Sequence, residues 1–406
     1  MLVNKTLATD ARVRRSAREL AAAGLDVTVL GTARKGEPAS RADLGFDLRL
    51  VPVRHASRVR VEAAAAGPDP LGLQVFDRTW WPAVKRLRPD VVHVHDSHGL
   101  AVALRAAREG ARWIWDTHED PVAHPLKRAR RLGIDRAVLA ETIRRELAGY
   151  VPSADAVITV SASIAAELVR LFDLPRPPAV VHNTPPLVVE KADPPGLRER
   201  AGVAPGLPLV VYAGDLSKRR NVSVVVEALE HLPGVHLVLV VTPTGKPVAK
   251  IFGLAERLRI SDRVHVVPKV PPEQLVSLLG TADVGVDPRL RDPDYDVTLP
   301  NKIFEYLHAG LAQVVSDCAA MAEVVRRYGF GEVAPADDAR AWAAALRRAL
   351  ETRPWRERTR EWESLKEEWC WERQAEVLLD VYRDVLGVEL PVGTPRAASH
   401  ALRAAE

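Results

Sequence analysis

The sequence predicts an α/β protein made of two doubly wound, Rossmann-like units in tandem. Three observations predict it. Short apolar runs bounded by polar or turn residues alternate with amphipathic helical segments from Asp10 to Val160. A proline-rich break, Asn183–Gly196 (NTPPLVVEKADPPG), interrupts that rhythm. The rhythm then restarts and runs on to Val315.

In the first half, Asp26–Gly31, Val91–His95, Trp113–Asp116 and Ala156–Val160 have the length and apolar continuity of buried parallel strands. In Asp10–Gly24, Val13, Ala17, Leu20 and Ala21 fall on one helical face, with Asp10 placed to cap the start and Gly24 to end it. Only Leu2–Asn4 precedes that helix as a first strand. Strands usually run to about five or six residues, so the first one is expected to be short or to begin upstream of residue 1. After the break come Leu209–Ala213, Val235–Val241, Val264–Val267, Val284–Val286 and Gln313–Val315. Strands alternating with helices in this way build parallel sheets with right-handed crossovers.

Arg353–Leu386 reads as helical, with Trp355, Trp362, Trp369 and Trp371 at roughly helical spacing as packing anchors. The tail from Pro391 reads as flexible. The expected domains are 1–185, 186–372, a C-terminal helix over 373–390 packing back on the first domain, and a tail over 391–406.

The chain has 406 residues, 47% hydrophobic and 27% charged, an ordinary globular balance. Its net charge of +4 permits anionic partners without selecting one, and no basic run with interleaved aromatics points to nucleic acid. Cys318 and Cys370 lie far apart and form no metal or redox pattern, which fits a reduced setting. The N-terminus lacks signal-peptide order, and no stretch of about 18 apolar residues could span a membrane. A cytoplasmic location follows as the expectation.

Neither GxGxxG nor GxxxxGK[ST] occurs, which argues against NAD-dependent dehydrogenases and P-loop enzymes. The segment richest in chemistry is Leu299–Val315 (LPNKIFEYLHAGLAQVV). Pro300 suits a first helical turn, Ile303, Phe304 and Leu307 form an apolar face, and Gly310 ends the helix before a buried strand. The amides and positive end of such a helix favour an anion near Pro300, Asn301 and Lys302, and the Lys302 ammonium adds charge there. Glu305, a turn later, suits the vicinal hydroxyls of a ribose. The bland alternative is a surface helix with a solvated Lys and Glu.

This segment resembles the donor-binding helix of family 4 glycosyltransferases, retaining enzymes of the GT-B fold. The similarity continues through Asp10–Leu30, Pro89–Asp96 (PDVVHVHD), Trp115–Glu119 (WDTHE), Ala154–Ser161, Val180–Asn183 and Tyr212–Leu229 (YAGDLSKRRNVSVVVEAL), in the family's order. The resemblance implies two Rossmann-like domains facing across a cleft. It implies sugar transfer from a nucleoside-diphosphate sugar with retained configuration, without metal or organic cofactor. The base, whether UDP, GDP, ADP or TDP, is left open.

By the same resemblance Glu305 holds the donor ribose. The first Glu of the family's paired motif falls at Val297, with Asp296 or Asn301 as substitutes. Lys218 and Arg219 fall at the diphosphate-binding pair, with Arg220 as the alternate register and Gly214 opening the segment. These cations would stabilise the leaving diphosphate in the transition state. His118 matches the residue facing the donor sugar, and Glu119 is placed to orient His118 or the acceptor.

His93, His95, Asp96 and His98 have the composition of a metal set. Alternation along a strand argues instead for acceptor-side lining or plain structure. The Asp-x-Asp runs over Asp292–Asp296 read as a polar donor loop, and Asn4–Thr9 lacks the glycine pair of the family's acceptor loop. Lys127, Arg128, Arg130, Arg131, Arg136, Arg144 and Arg145 could rest on an anionic membrane bearing a lipid-linked acceptor, or form a solvated face. Carbohydrate and small-molecule acceptors are the other classes. Rival functions are a GT-B sugar-nucleotide epimerase and a non-catalytic nucleotide-sugar-binding protein.

Overall fold

The structure, a computed structural model, describes residues 1–4, 10–32, 40–41, 44–51, 73–129, 133–188, 196–351 and 359–391. Several expectations lie outside the described residues: the Asn4–Thr9 loop beyond Asn4, Arg130 and Arg131 with the side chains of Lys127 and Arg128, linker residues 189–195, Trp355, and the tail beyond Pro391. The chain divides into two units, Met1–Val181 with Ala375–Glu406, and His182–Gln374.

In the first unit the helix Ala11–Ala22 starts where the Asp10 carboxylate accepts the Val13 amide at 3.1 Å. It buries Val13, Ala17 and Leu20, and also Arg12 and Ser16. The strands are β1 (Thr28–Thr32), β2 (Ser40–Arg41), β3 (Asp47–Val51), β4 (Val91–His95), β5 (Arg112–Thr117), β6 (Ala156–Thr159) and β7 (Ala179–Val180). They run in the orders β1-β3-β2 and β4-β5-β6-β7, and every pair is parallel except β2 with β3.

Leu2 joins the two sets. It bridges Leu30 on one side and Val94 on the other, both in parallel. Its amide donates to the His93 carbonyl at 2.8 Å, its carbonyl accepts from the His95 amide at 2.9 Å, and the Val3 amide reaches Leu30 at 3.1 Å. The residues expected to form the first strand thus lie at the centre of the sheet, between β1 and β4.

The second unit is a six-stranded parallel sheet ordered β10-β9-β8-β11-β12-β13, from β8 (Leu209–Ala213), β9 (His236–Val241), β10 (Val264–Pro268), β11 (Val284–Asp287), β12 (Ala312–Ser316) and β13 (Gly331–Ala334). Val210 and Tyr212 face one apolar cluster, and Leu209, Val211 and Ala213 face another. Both faces are covered, as an all-parallel sheet requires. The order reverses between β8 and β11, so the crevice at their carboxyl ends is where such a sheet binds ligands.

The Asn301–His308 helix buries Ile303, Phe304 and Leu307 as its periodicity predicts. Pro300 stands one residue earlier than expected, as the N-cap and not in the first turn. Tyr306 fixes the helix to the sheet. Its hydroxyl accepts the Ala213 amide and donates to the Val286 carbonyl, both at 3.2 Å. A Cβ on Gly285 would lie 2.5 Å from the Tyr306 ring, so only glycine admits this close approach.

The C-terminal tryptophans pack, but on two helices, Thr359–Glu368 and Trp371–Leu386. Trp369, between them, stacks on Phe304 with centroids 5.2 Å apart, and Trp362 donates to the Leu307 carbonyl at 2.6 Å.

The basic Arg136–Ala148 helix turns Leu139, Ile143 and Leu147 into the core. Arg144 and Arg145 pair with Glu141 at 2.8 and 2.6 Å, so neither its apolar side nor these two charges face outward unengaged. No helix among the described residues is long and apolar enough to cross a membrane.

Candidate active site

Each unit carries one polar cluster at the carboxyl ends of its strands. In the second unit the cluster sits at the β8–β11 reversal. Gly214 follows β8 with φ +147°, and a Cβ there would meet Lys302 Cε at 3.1 Å and Nζ at 3.2 Å. Asp287 ends β11, fully buried, and Arg289 grips it in a fork, Nε to Oδ1 at 3.1 Å and Nη2 to Oδ2 at 2.5 Å. Lys302 Nζ lies 3.8 Å from Asp287 Oδ2 and 5.1 Å from the centre of the Tyr212 ring.

Three guanidinium groups gather on Tyr295, at 4.5 Å for Arg219, 5.2 Å for Arg220 and 4.6 Å for Arg289. Such contacts contribute about 0.5–2 kcal/mol each. Asp292 holds Arg219 at 2.7 Å.

Burial pushes the Lys302 ammonium down to about 8, against the pull of Asp287 and Glu305. Burial alone would raise the Asp287 carboxyl, but Arg289 and Lys302 outweigh it and hold Asp287 at about 2. A buried cation that loses its proton this readily is poised for an anionic ligand that restores its charge.

Of the residues singled out from the sequence, Gly214, Arg219, Pro300, Lys302 and Glu305 belong to these elements. Lys218 does not join the cluster: it is exposed on a single tight turn over Lys218–Arg220, while Arg219 and Arg220 face Tyr295. Asn301 is exposed at the helix start. Asp296, offered as a substitute for the missing Glu, is engaged elsewhere. It accepts the Ala319 amide at 3.0 Å and pairs with Arg291 at 3.1 Å. Asp292 likewise caps the Pro293–Val297 turn, so the Asp-x-Asp run serves local structure.

In the first unit His93 and His95 on β4 share a face with Asp116 on β5 and His118 just beyond it. His95 is the register partner of Asp116. The alternation argument used on the sequence separates neighbours; residues two apart lie on the same side. His93 and His95 stack with centroids 4.4 Å apart. Arg12 closes on Asp116 with both oxygens engaged, at 2.9 and 2.8 Å, and all four groups other than His118 are buried. His118 Nε2 lies 3.0 Å from His95 Nδ1 and 3.6 Å from Asp116 Oδ2, and its Nδ1 lies 3.7 Å from Asp96 Oδ1. Tyr382 from the last helix meets His93 Nδ1 at 2.9 Å.

Burial, followed by the neighbouring His93, lowers His95 to about 3, so it is neutral near pH 7. Burial opposes ionisation of Asp116, yet Arg12 and then His118 hold its carboxyl well below the usual range. Glu119 does not orient His118. It is exposed and pairs with His124, while the neighbours of His118 are His95, Asp116 and Asp96.

His93, His95 and Asp116 are the set among the described residues with metal-ligand spacing. Arg12 already supplies the countercharge to Asp116 through two hydrogen bonds. A cavity of about 510 Å³ lies at the opposite, amino ends of β5 and β6, lined by Arg112, Asp155 and Asp384 among others, away from this chemistry.

Sequence reasoning missed Asp287, Arg289, Tyr295, Arg12, Asp116 and Tyr382. An acid closing a buried strand with Arg two residues on (VGVDPR) was a legible signal, as was an Arg on the buried face of the first helix. Nothing local marks Tyr382.

Two doubly wound units of this topology, one with a cationic strand-end cluster and the other with a buried histidine cluster, fit the GT-B class of glycosyltransferases. The description Glycosyltransferase Family 4 matches residues 11–184, and Glycosyl transferases group 1 matches residues 196–363. The chain belongs to the family 4, group 1 glycosyltransferases. It is 29% identical over 308 residues to a D-inositol 3-phosphate glycosyltransferase of Xylanimonas cellulosilytica, covering 72% of this chain and 71% of that one. A protein of the same description from Acidothermus cellulolyticus is 26% identical over 410 residues, covering 95% and 88%. Among solved structures, a sucrose-phosphate synthase from Thermosynechococcus elongatus superposes with a TM-score of 0.71 at 19% identity, covering 93% of each chain.

Proposed function

We propose that this glycosyltransferase takes its sugar from a nucleoside-diphosphate donor bound in the second unit and transfers it with retention of configuration. The observation that carries the reading is the cation set at the β8–β11 reversal. Lys302 lies buried against glycine at the start of a helix, and Arg219, Arg220 and Arg289 share one ring. Helix amides with fixed cations suit a diphosphate, and they bind it more strongly as charge develops on the leaving group. With that charge met by side chains, the transfer is metal-independent. Glu305, a turn along the same helix, takes the ribose. His118 is the residue assigned to the donor sugar. Retention and the sugar contact of His118 rest on the family likeness. The names of the relatives put a phosphorylated polyol first among acceptors to assay. Peripheral membrane contact is the weaker part of the reading, because the Arg136–Ala148 helix spends its apolar side on the core.

A melting-temperature screen against UDP, GDP, ADP and TDP tests the donor site, since a ligand of the folded state raises the melting point. The expected result is a shift with one nucleotide, lost in Glu305→Ala and Arg220→Ala. No shift with any nucleotide on folded protein overturns the reading. Product anomer by NMR tests retention, and undiminished turnover in chelator tests metal independence. A non-catalytic binding role is the second reading, favoured by Val297 and the engaged Asp296. Nucleotide binding without turnover of any donor would select it.

A further inference from the structure

The first unit holds two ring nitrogens, His93 Nε2 and His95 Nε2, that are buried without a hydrogen-bond partner among the described residues. Their positions fix where the protons of the whole cluster reside. An orphaned buried N–H forfeits its full hydration, whereas an orphaned lone pair costs less.

His95 Nδ1 faces two groups, Asp116 Oδ2 at 3.4 Å and His118 Nε2 at 3.0 Å. Asp116 is an ionised carboxylate clamped by Arg12 and only accepts hydrogen bonds. A lone pair at His95 Nδ1 would point at that anion and leave the His95 proton on Nε2, buried with nothing to receive it. The proton therefore sits on His95 Nδ1. His93 differs from His95 in that its Nε2 faces the Asp116 carboxylate at 3.7 Å, so its proton lies on that side and its Nδ1 accepts from the Tyr382 hydroxyl. With a proton on His95 Nδ1 at 3.0 Å, His118 Nε2 must offer its lone pair, and the His118 proton lies on Nδ1, on the side of Asp96.

We infer that His95 is a positioning residue which donates its Nδ1 proton to His118 Nε2 and thereby makes His118 a hydrogen-bond donor to the substrate through Nδ1, not a base. This rests on the transferase reading, in which His118 meets the donor sugar. The charged and titratable groups facing the pair are Arg12 from the first helix, Asp116 beside it on β5, Asp96 after β4, and His93 with Tyr382 from the last helix. His118 keeps 11% of its side chain exposed, while His95 has none. The outer ring does the touching and the inner one sets its form.

Nitrogen NMR of the histidine rings in the full chain tests the assignment without any variant. At neutral pH His118 is expected to show a protonated Nδ1 and a bare Nε2. A protonated Nε2 overturns the inference, whatever the fate of the transferase reading. The second measurement compares His95→Asn, whose amide places an N–H where Nδ1 stood, with His95→Leu, which has no donor. Melting temperatures of both variants establish that they are folded. Leu is expected to lower kcat by about 10–100-fold with the donor KM unchanged, and Asn to restore most of it. Equal loss in folded Asn and Leu variants, or no loss in Leu, overturns the positioning role. If the wild-type chain binds no nucleotide and turns over no donor, the transferase reading falls while the ring tautomers still decide the inference.

Discussion

Lys302 packs its ammonium arm into the space where Gly214 has no side chain, with 3.1 Å between its Cε and the position a Cβ would take. Gly214 also holds φ at +147°, which L side chains rarely adopt. Gly214→Ala is expected to push Lys302 aside and weaken nucleotide binding about tenfold, with a stability loss of about 1 kcal/mol or more. Calorimetric titration beside a melting curve separates the two effects. Unchanged affinity would detach Lys302 from the donor.

The depressed Lys302 pKa predicts a pH dependence of binding. The free protein loses this charge as pH rises through about 8. A bound diphosphate holds the proton on, so affinity is expected to fall by up to about tenfold per pH unit above that point. Titrations on either side of pH 8 check this, and Lys302→Met should flatten the curve.

Arg12 and Asp116 form a buried pair with two hydrogen bonds. Removing one partner strands a buried charge. Arg12→Met or Asp116→Leu is expected to cost about 3–5 kcal/mol, and the double variant to cost less than the sum. Urea unfolding of the four proteins measures the coupling. Additive losses would show that the pair is not acting as one.

Acid should unfold the first unit early. His93 and His95 are held neutral by burial, His95 down to about 3, whereas the unfolded chain protonates them near about 6.5. The unfolded state then binds more protons, so stability is full above about pH 6.5 and falls as pH drops toward 3, by about 1.4 kcal/mol per pH unit per histidine. Melting temperature against pH checks the sign, with His93→Phe expected to show a shallower fall.

Strands buried on both faces were legible as short runs dominated by apolar residues, and Leu209–Ala213 and Val91–His95 match residue for residue; β3 (Asp47–Val51) and β13 (Gly331–Ala334), with charged and half-buried positions, were not read from the sequence. Leu2 was half legible, since a one-residue bridge has no run to read. The helix carrying Lys302 and Glu305 could be read from its periodicity. Its partners could not. A tight turn decides that Arg220 faces Tyr295 and Lys218 faces solvent, and sequence spacing does not encode that choice. His93 and His95 stood in plain view, but their chemistry depends on Arg12, Asp116 and Tyr382, which only the folded sheet and its covering helices bring to them.

The seam at Leu2 also sets how the first unit comes apart. Among the described residues β1 and β4 are joined by the backbone of residues 1–3, so slipping a few bonds there separates the sheet into two halves without unravelling either. Openings of that kind lie below global unfolding in free energy. The amides of Leu2, Val3 and His95 would then exchange with solvent as one group, ahead of the strands around them. His95 belongs to that seam through its backbone and to His118 through its ring, so the form of the outer histidine is only as durable as the stitching at the second residue of the chain.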